Sequence, residues 1–87
     1  MYLHLGQSVV VPQREIIGIF DLDNASYSHR TRKFLERAQR QGQVVTVGGE
    51  LPKSFVLCED KDGRQTVYIS QLSSSTLRGR AESDSFE

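Results

Sequence analysis

Between Asn24 and Gly42 lies the one segment of this chain whose apolar residues recur at convincing helical spacing. At about 100° per residue, Thr31, Phe34, Leu35 and Ala38 fall on one arc and require an apolar surface to pack against. The residues on either side of the segment read as short strands, so that surface is a sheet. Asn24, Ser26 and Ser28 carry side chains that can cap the start of the helix. Gly42 ends it where a left-handed residue is wanted.

The strand readings rest on short apolar or β-branched runs bounded by turn residues. Tyr2 to Leu5 alternates weakly and breaks at Gly6-Gln7. Ser8 to Val11 follows and breaks at Pro12-Gln13, and Glu15 to Phe20 is strongly apolar. Asp21-Leu22-Asp23-Asn24 is turn chemistry, because these acid and amide side chains bond nearby backbone donors. Gln43 to Val47 is a strand, and Gly48 to Pro52 a loop. Ser54 to Cys58 and Thr66 to Ile69 form a hairpin across Asp60-Lys61-Asp62-Gly63. Ser73 to Leu77 starts a short terminal helical turn, and the small, charged residues from 79 onward predict a disordered tail. The fold class is therefore α+β: a small β-rich domain over residues 1–78, with one amphipathic helix on a curved antiparallel or mixed sheet, and an acidic tail over 79–87.

With 87 residues, 37% apolar and no tryptophan, the core is thin. Small domains of this kind often lean on self-association. Cys58 is the only cysteine, which excludes an intramolecular disulfide and suits a reducing cytoplasm. The opening residues lack the basic and apolar regions of a signal peptide, and no run approaches a membrane span, so a soluble cytoplasmic protein is expected. Net charge is zero, but residues 82–87 hold three acids and no base, leaving eleven bases against eight acids over residues 1–81. A mildly basic body fits a polyanionic partner.

No catalytic constellation is complete. Asp21-x-Asp23 at the end of an apolar strand is similar to the haloacid-dehalogenase phosphatase signature, in which one Asp attacks phosphorus beside a magnesium ion. Ala25 stands where that signature has Thr or Val, and the chain is too short for the doubly wound domain holding its other motifs. No enzyme is expected. His4 and His29 lack a second metal-type ligand at helical spacing, so no metal or other cofactor is expected. Cys58 reads as a core thiol. Gly48-Gly49 reads as a simple loop rather than a phosphate cradle.

The helix carries the sharpest signal. Arg30, Lys33, Arg37 and Arg40 share an arc of roughly 80° beside the apolar one. Arg32 adds a fifth base on another side, and Glu36 is the only acid. Exposed helices ordinarily interleave acids for i,i+4 pairs. An uncompensated stripe attracts a duplex backbone by counterion release.

The run from Tyr2 to Asp21 (Tyr2-Leu3-His4-Leu5-Gly6-Gln7-Ser8-Val9-Val10-Val11-Pro12-x-Arg14-Glu15-Ile16-Ile17-Gly18-Ile19-Phe20-Asp21) resembles the opening of the RemA/RemB family of biofilm-matrix regulators. The resemblance continues through Thr31-Arg32-x-Phe34-Leu35-x-x-Ala38 and the strand after Gly42, and reaches Leu77. It implies a cytoplasmic, non-enzymatic regulator of extracellular-matrix genes. The RemA branch implies DNA binding by a ring of copies with basic residues outward. Arg14 matches an arginine that branch uses just before its apolar strand. The branch's arginine-rich loop corresponds to Gly49-Glu50-Leu51-Pro52-Lys53, where only Lys53 is basic and Glu50 opposes it.

Two readings follow. In the first, a homo-oligomer holds double-stranded DNA mainly by phosphate contacts from Arg14, Lys53 and the helix bases Arg30, Arg32, Lys33, Arg37 and Arg40. The apolar edges Val9 to Val11 and Phe55 to Leu57 are then buried between copies. In the second, the chain is an adaptor whose helix bases meet another protein, such as a paralogue.

Overall fold

Alternation along the fifth strand decides the layering. Phe55 and Leu57 point to one side of the sheet, Val56 and Cys58 to the other, and both sides are covered. The structure is a computed structural model that describes residues 1–22, 29–49 and 51–84, with side chains through residue 82. Within them the order is β1 (Tyr2–Gly6), β2 (Val9–Pro12), a 3-10 turn (Gln13–Glu15), β3 (Ile16–Asp21), α1 (His29–Arg40), β4 (Val44–Val47), β5 (Ser54–Glu59), β6 (Gln65–Ser70) and α2 (Ser74–Asp84). The class is α+β, β-rich, with an amphipathic helix on a mixed sheet.

β1 and β2 form an antiparallel hairpin, and the other strands make a sheet in the order β3-β5-β6-β4. Only the β4–β6 pair is parallel. That follows from the chain path, since α1 is the crossover that returns β4 in the direction of β3. On one face, Phe34, Leu35 and Ala38 of α1 meet Phe55, Leu57, Val67, Ile69 and Val44. On the other, Leu3, Leu5 and Val11 of the hairpin join Leu77 and Ala81 of α2 over Val56, Cys58, Val47 and Ile19. Thr31, on the same arc of α1, is half-buried.

α1 stops in a Schellman arrangement. The Gly42 N–H donates to Gln39 O at 3.1 Å and the Gln43 N–H to Ala38 O at 2.9 Å, with Gly42 at φ +70°. The capping candidates Asn24, Ser26 and Ser28 lie outside the described residues, as do Asp23 and Ala25. The β5–β6 turn is held by Asp60, whose Oδ1 accepts from the Asp62 and Arg64 N–H groups at 2.9 Å each. Gly63 supplies the positive φ at +82°.

Two serines tie the layers together. Ser54 and Ser70 face each other across β5 and β6, both fully buried. Ser54 Oγ donates to Leu72 O at 2.7 Å. Ser70 Oγ donates to Leu5 O at 2.8 Å and accepts from the Leu72 N–H at 3.0 Å. These bonds satisfy backbone groups where the chain leaves β6 for α2 and where β1 crosses the sheet.

Two sequence expectations change. The terminal helix is longer than a single turn: α2 runs through Gly79 to Asp84. Ser73 Oγ accepts from the Thr76 N–H at 3.1 Å as an N-cap, and Leu77 and Ala81, four residues apart, anchor one side of the helix. Residues 85–87 of the expected tail lie outside the described residues. Phe55 to Leu57 are not an edge either. β5 lies between β3 and β6, with Phe55 3% and Val56 0% exposed. A run apolar at every position belongs to a strand buried on both faces. Of the other expected edge, Val9 to Val11, Val10 alone is exposed.

The β1–β2 turn is strained. Gln7 and Ser8 take positive φ of 44° and 68°, the conformation that tight hairpin turns give to Asn-Gly. Gln7→Asn with Ser8→Gly is expected to stabilise the fold by about 1 kcal/mol, raising the melting temperature by about 4–8 °C. A calorimetric scan checks this, and an unchanged or lower midpoint contradicts it.

Candidate nucleic-acid interface

With Phe34, Leu35 and Ala38 committed to the sheet and Thr31 half-buried beside them, the other residues of α1 are turned outward. Arg30, Arg32, Lys33, Arg37 and Arg40 are all exposed. Among the described residues, none of Arg30, Lys33, Arg37 and Arg40 forms an ion pair, while Arg32 has a partner of its own. Their spacing makes a track of about 15 Å along the helix. That covers about four phosphate steps of one DNA strand at ~3.4 Å each. Arg37 and Arg40 also suit the partly negative carboxyl end of the helix. Arg30 and Lys33 have no such local purpose.

Lys53 and Arg14 are exposed but stand at opposite ends of the sheet. Lys53 precedes Ser54, which pairs with Asp21, whereas Arg14 precedes Ile16, which pairs with Cys58. Five strand residues separate those levels, about 16 Å. Lys53 lies at the end of the sheet where β3 hands the chain on towards α1; its carbonyl accepts from the Leu22 N–H at 3.0 Å. Arg14 lines a cleft with Glu15, Glu59, Asp60, Lys61 and Asp62. Four carboxylates against two bases make that cleft unfavourable for a phosphate backbone. Glu50, expected to oppose Lys53, lies outside the described residues.

Arg78 and Arg80 serve the fold in ways that spacing did not reveal. Arg78 Nη2 donates to Ile19 O at 2.8 Å, and Arg80 Nη1 reaches His4 O at 3.4 Å. Both clamp α2 to strands far away in sequence. The Gly48-Gly49 loop packs closely under the Gln71 side chain.

Among the described residues, no three His, Cys, Asp or Glu side chains gather in a way that could hold a metal ion. None of their helices is long and apolar enough to cross a membrane. Cys58 is 4% exposed, and burial, aided by the Glu15 carboxylate, pushes its thiol up from 9.0 to about 11. At pH 8 the thiolate fraction falls about a hundredfold. Labelling by an aromatic disulfide is therefore expected to run at least ~100 times slower in the native protein than in urea. Comparable rates in both would mean that the thiol is not held inside. The sign for stability is equally defined: the unfolded thiol ionises first, so the contribution of Cys58 is full below about pH 9 and lost as pH rises towards 11.

Residues 2–81 match the RemA-like family, described as extracellular matrix regulatory protein A-like. Extracellular matrix regulatory protein B of Bacillus subtilis (strain 168) is 44% identical over 82 residues, covering 94% of this chain and 91% of that protein. Both names describe regulators rather than enzymes. With the match spanning every strand and helix among the described residues nearly to the end of α2, this chain belongs to the RemA-like family.

Proposed function

We propose that this protein is a homo-oligomeric, DNA-binding regulator of extracellular-matrix genes that holds duplex through phosphate contacts from the outer face of α1. It acts in the cytoplasm, as copies of itself or with a paralogous family member. The observation that carries the reading is the row Arg30, Lys33, Arg37 and Arg40, exposed and without ion pairs among the described residues. Lys53 extends the contact, and Arg32 lies on a neighbouring side of the helix. Arg14 contributes least, because its cleft is acidic. One copy presents a small footprint; repetition around an oligomer multiplies it.

Titrating labelled duplex tests the reading. With about four phosphates neutralised per copy, affinity falls roughly a hundredfold between about 50 and 200 mM salt. Absence of binding at low salt, or binding indifferent to salt, overturns it. The adaptor reading draws support from the acidic surroundings of Arg14. It expects the helix bases to meet acids on a protein partner instead, with no duplex binding at either salt concentration.

A further inference from the structure

α1 does not close over the whole of the sheet face beneath it. Beside its start lies a hollow of about 260 Å³ lined by Phe20, Arg30, Thr31, Phe34, Phe55 and Leu57. Its floor is aromatic. Phe20 and Phe55, paired across β3 and β5, stack with ring centroids 4.8 Å apart and planes 17° from parallel. Phe55 is buried, whereas Phe20 is 39% exposed, and Phe34 and Leu57 are only half-buried. Gly18 sets the place of the Phe20 ring. It stands two residues back on the same side of β3, and a Cβ there would come within 2.7 Å of Phe20 Cε2 and Cζ. With glycine the ring lies back along the strand, so one wall of the hollow is fixed in advance.

One charge borders this apolar space. Arg30 lies one turn before Phe34 on the same side of α1, exposed and without an ion pair among the described residues. It stands in the first turn of the helix, where no residue is acidic and where the dipole favours an anion over a base. Of the basic row it alone lines the hollow. Three phenyl rings and a leucine around one guanidinium suit a ligand with an apolar ring and a single negative charge. Pockets for drug-sized ligands begin at roughly 300 Å³. This one therefore has room for a single ring with a short acid arm.

We propose that this hollow is a binding site for a single-ring aromatic carboxylate, its ring seated against Phe20 and Phe34 and its carboxylate on the Arg30 guanidinium. Aromatic walls favour a ring over an aliphatic chain through offset and edge-on contacts. The planar guanidinium takes a carboxylate in a two-point grip. A phosphorylated ligand, carrying more charge, would meet only this one base. Occupancy also bears on duplex. A carboxylate on Arg30 withdraws one of four charges from the basic row, so ligand and duplex oppose each other, each weakening the other by the same factor. That consequence rests on the reading of α1 as the duplex-binding face; the site itself does not.

Phenylacetate is the probe, titrated into the full chain and read by saturation-transfer NMR on the ligand and by calorimetry. Saturable binding with a dissociation constant on the order of a millimolar or below is expected for a ligand of about ten heavy atoms. Acetate, which lacks the ring, and phenethylamine, whose charge is reversed, should each bind at least about tenfold more weakly. Arg30→Gln should cost about tenfold or more in phenylacetate affinity. Thr31→Phe, which puts a ring of the chain's own into the hollow, should abolish binding. Circular dichroism and melting curves report whether each variant is folded, and R30Q, a change at an exposed position, decides the matter if T31F does not fold. Saturating phenylacetate should also weaken duplex binding about eightfold near 0.1 M salt, the worth of one phosphate contact per copy. Acetate at the same concentration controls for ionic strength, and duplex held by R30Q should not respond. Absence of saturable binding, acetate or phenethylamine binding as tightly as phenylacetate, or full affinity in R30Q or in folded T31F overturns the site. Ligand binding that leaves duplex affinity unchanged overturns the coupling. A chain that binds phenylacetate but no duplex overturns the duplex reading and leaves the site standing.

Discussion

Lys33→Glu combined with Arg37→Glu is expected to weaken duplex binding by at least about a hundredfold near 100 mM salt, with oligomer mass and melting temperature unchanged. The two residues sit one turn apart on the outward side of α1, away from Phe34, Leu35 and Ala38, which face the sheet. The row Arg30, Lys33, Arg37, Arg40 carries four positive charges, and the double reversal leaves two bases against two acids. Every copy in an oligomer loses its attraction at once, so the effect compounds along the duplex. The salt dependence should flatten by roughly two contacts per copy, a slope change of about 1.8. Glutamate is as good a helix former as lysine or arginine, and both positions are exposed, so the fold has no reason to respond. An oligomer that dissociates while duplex binding persists would favour the adaptor reading.

Leu77→Ala is expected to produce the largest loss of stability, about 2–5 kcal/mol. Leu77 is fully buried in the cluster that joins α2 to Leu3, Leu5 and Val56. A chain of this size has roughly 4–13 kcal/mol to lose, so the variant approaches the unfolding threshold. The midpoint should fall by about 8 °C or more at ~4–8 °C per kcal/mol. Because Leu77 and Ala81 are the apolar contacts of an otherwise polar helix, the damage should concentrate there. Hydrogen exchange should rise first over residues 74–84, where the Arg78 and Arg80 clamps are released. A loss below about 1 kcal/mol would mean that α2 is not part of the core.

The six strands among the described residues were legible because each is a short apolar run bounded by Gly, Pro or Asp, and the inward arc of α1 was legible from its period. What escaped depends on partners distant in the chain. α2 has Gly79 and several charges in place of an apolar period, and its clamps reach backbone carbonyls 59 and 76 residues away. The run Phe55-Val56-Leu57 resembled an exposed edge only while the covering of its two faces by α1 and by the β1–β2 hairpin was unknown. For the interface, helical geometry grouped Arg30, Lys33, Arg37 and Arg40 on one arc beside the apolar one, and the exposure of Lys33 and Arg37 came from how α1 sits on the sheet. The acidic setting of Arg14 could not be read locally, since the β5–β6 hairpin brings Glu59, Asp60 and Asp62 to it across more than forty residues.

The three lysines of the chain offer the most direct test of where duplex sits. Lys33 lies on the basic row of α1, Lys53 flanks it, and Lys61 belongs to the acidic cleft. Acetylation rates measured by mass spectrometry, with and without saturating duplex at low salt, should show strong protection of Lys33, partial protection of Lys53 and none of Lys61. A Lys33 acetylated equally fast in free and bound protein, with duplex binding confirmed in the same sample, would contradict the account.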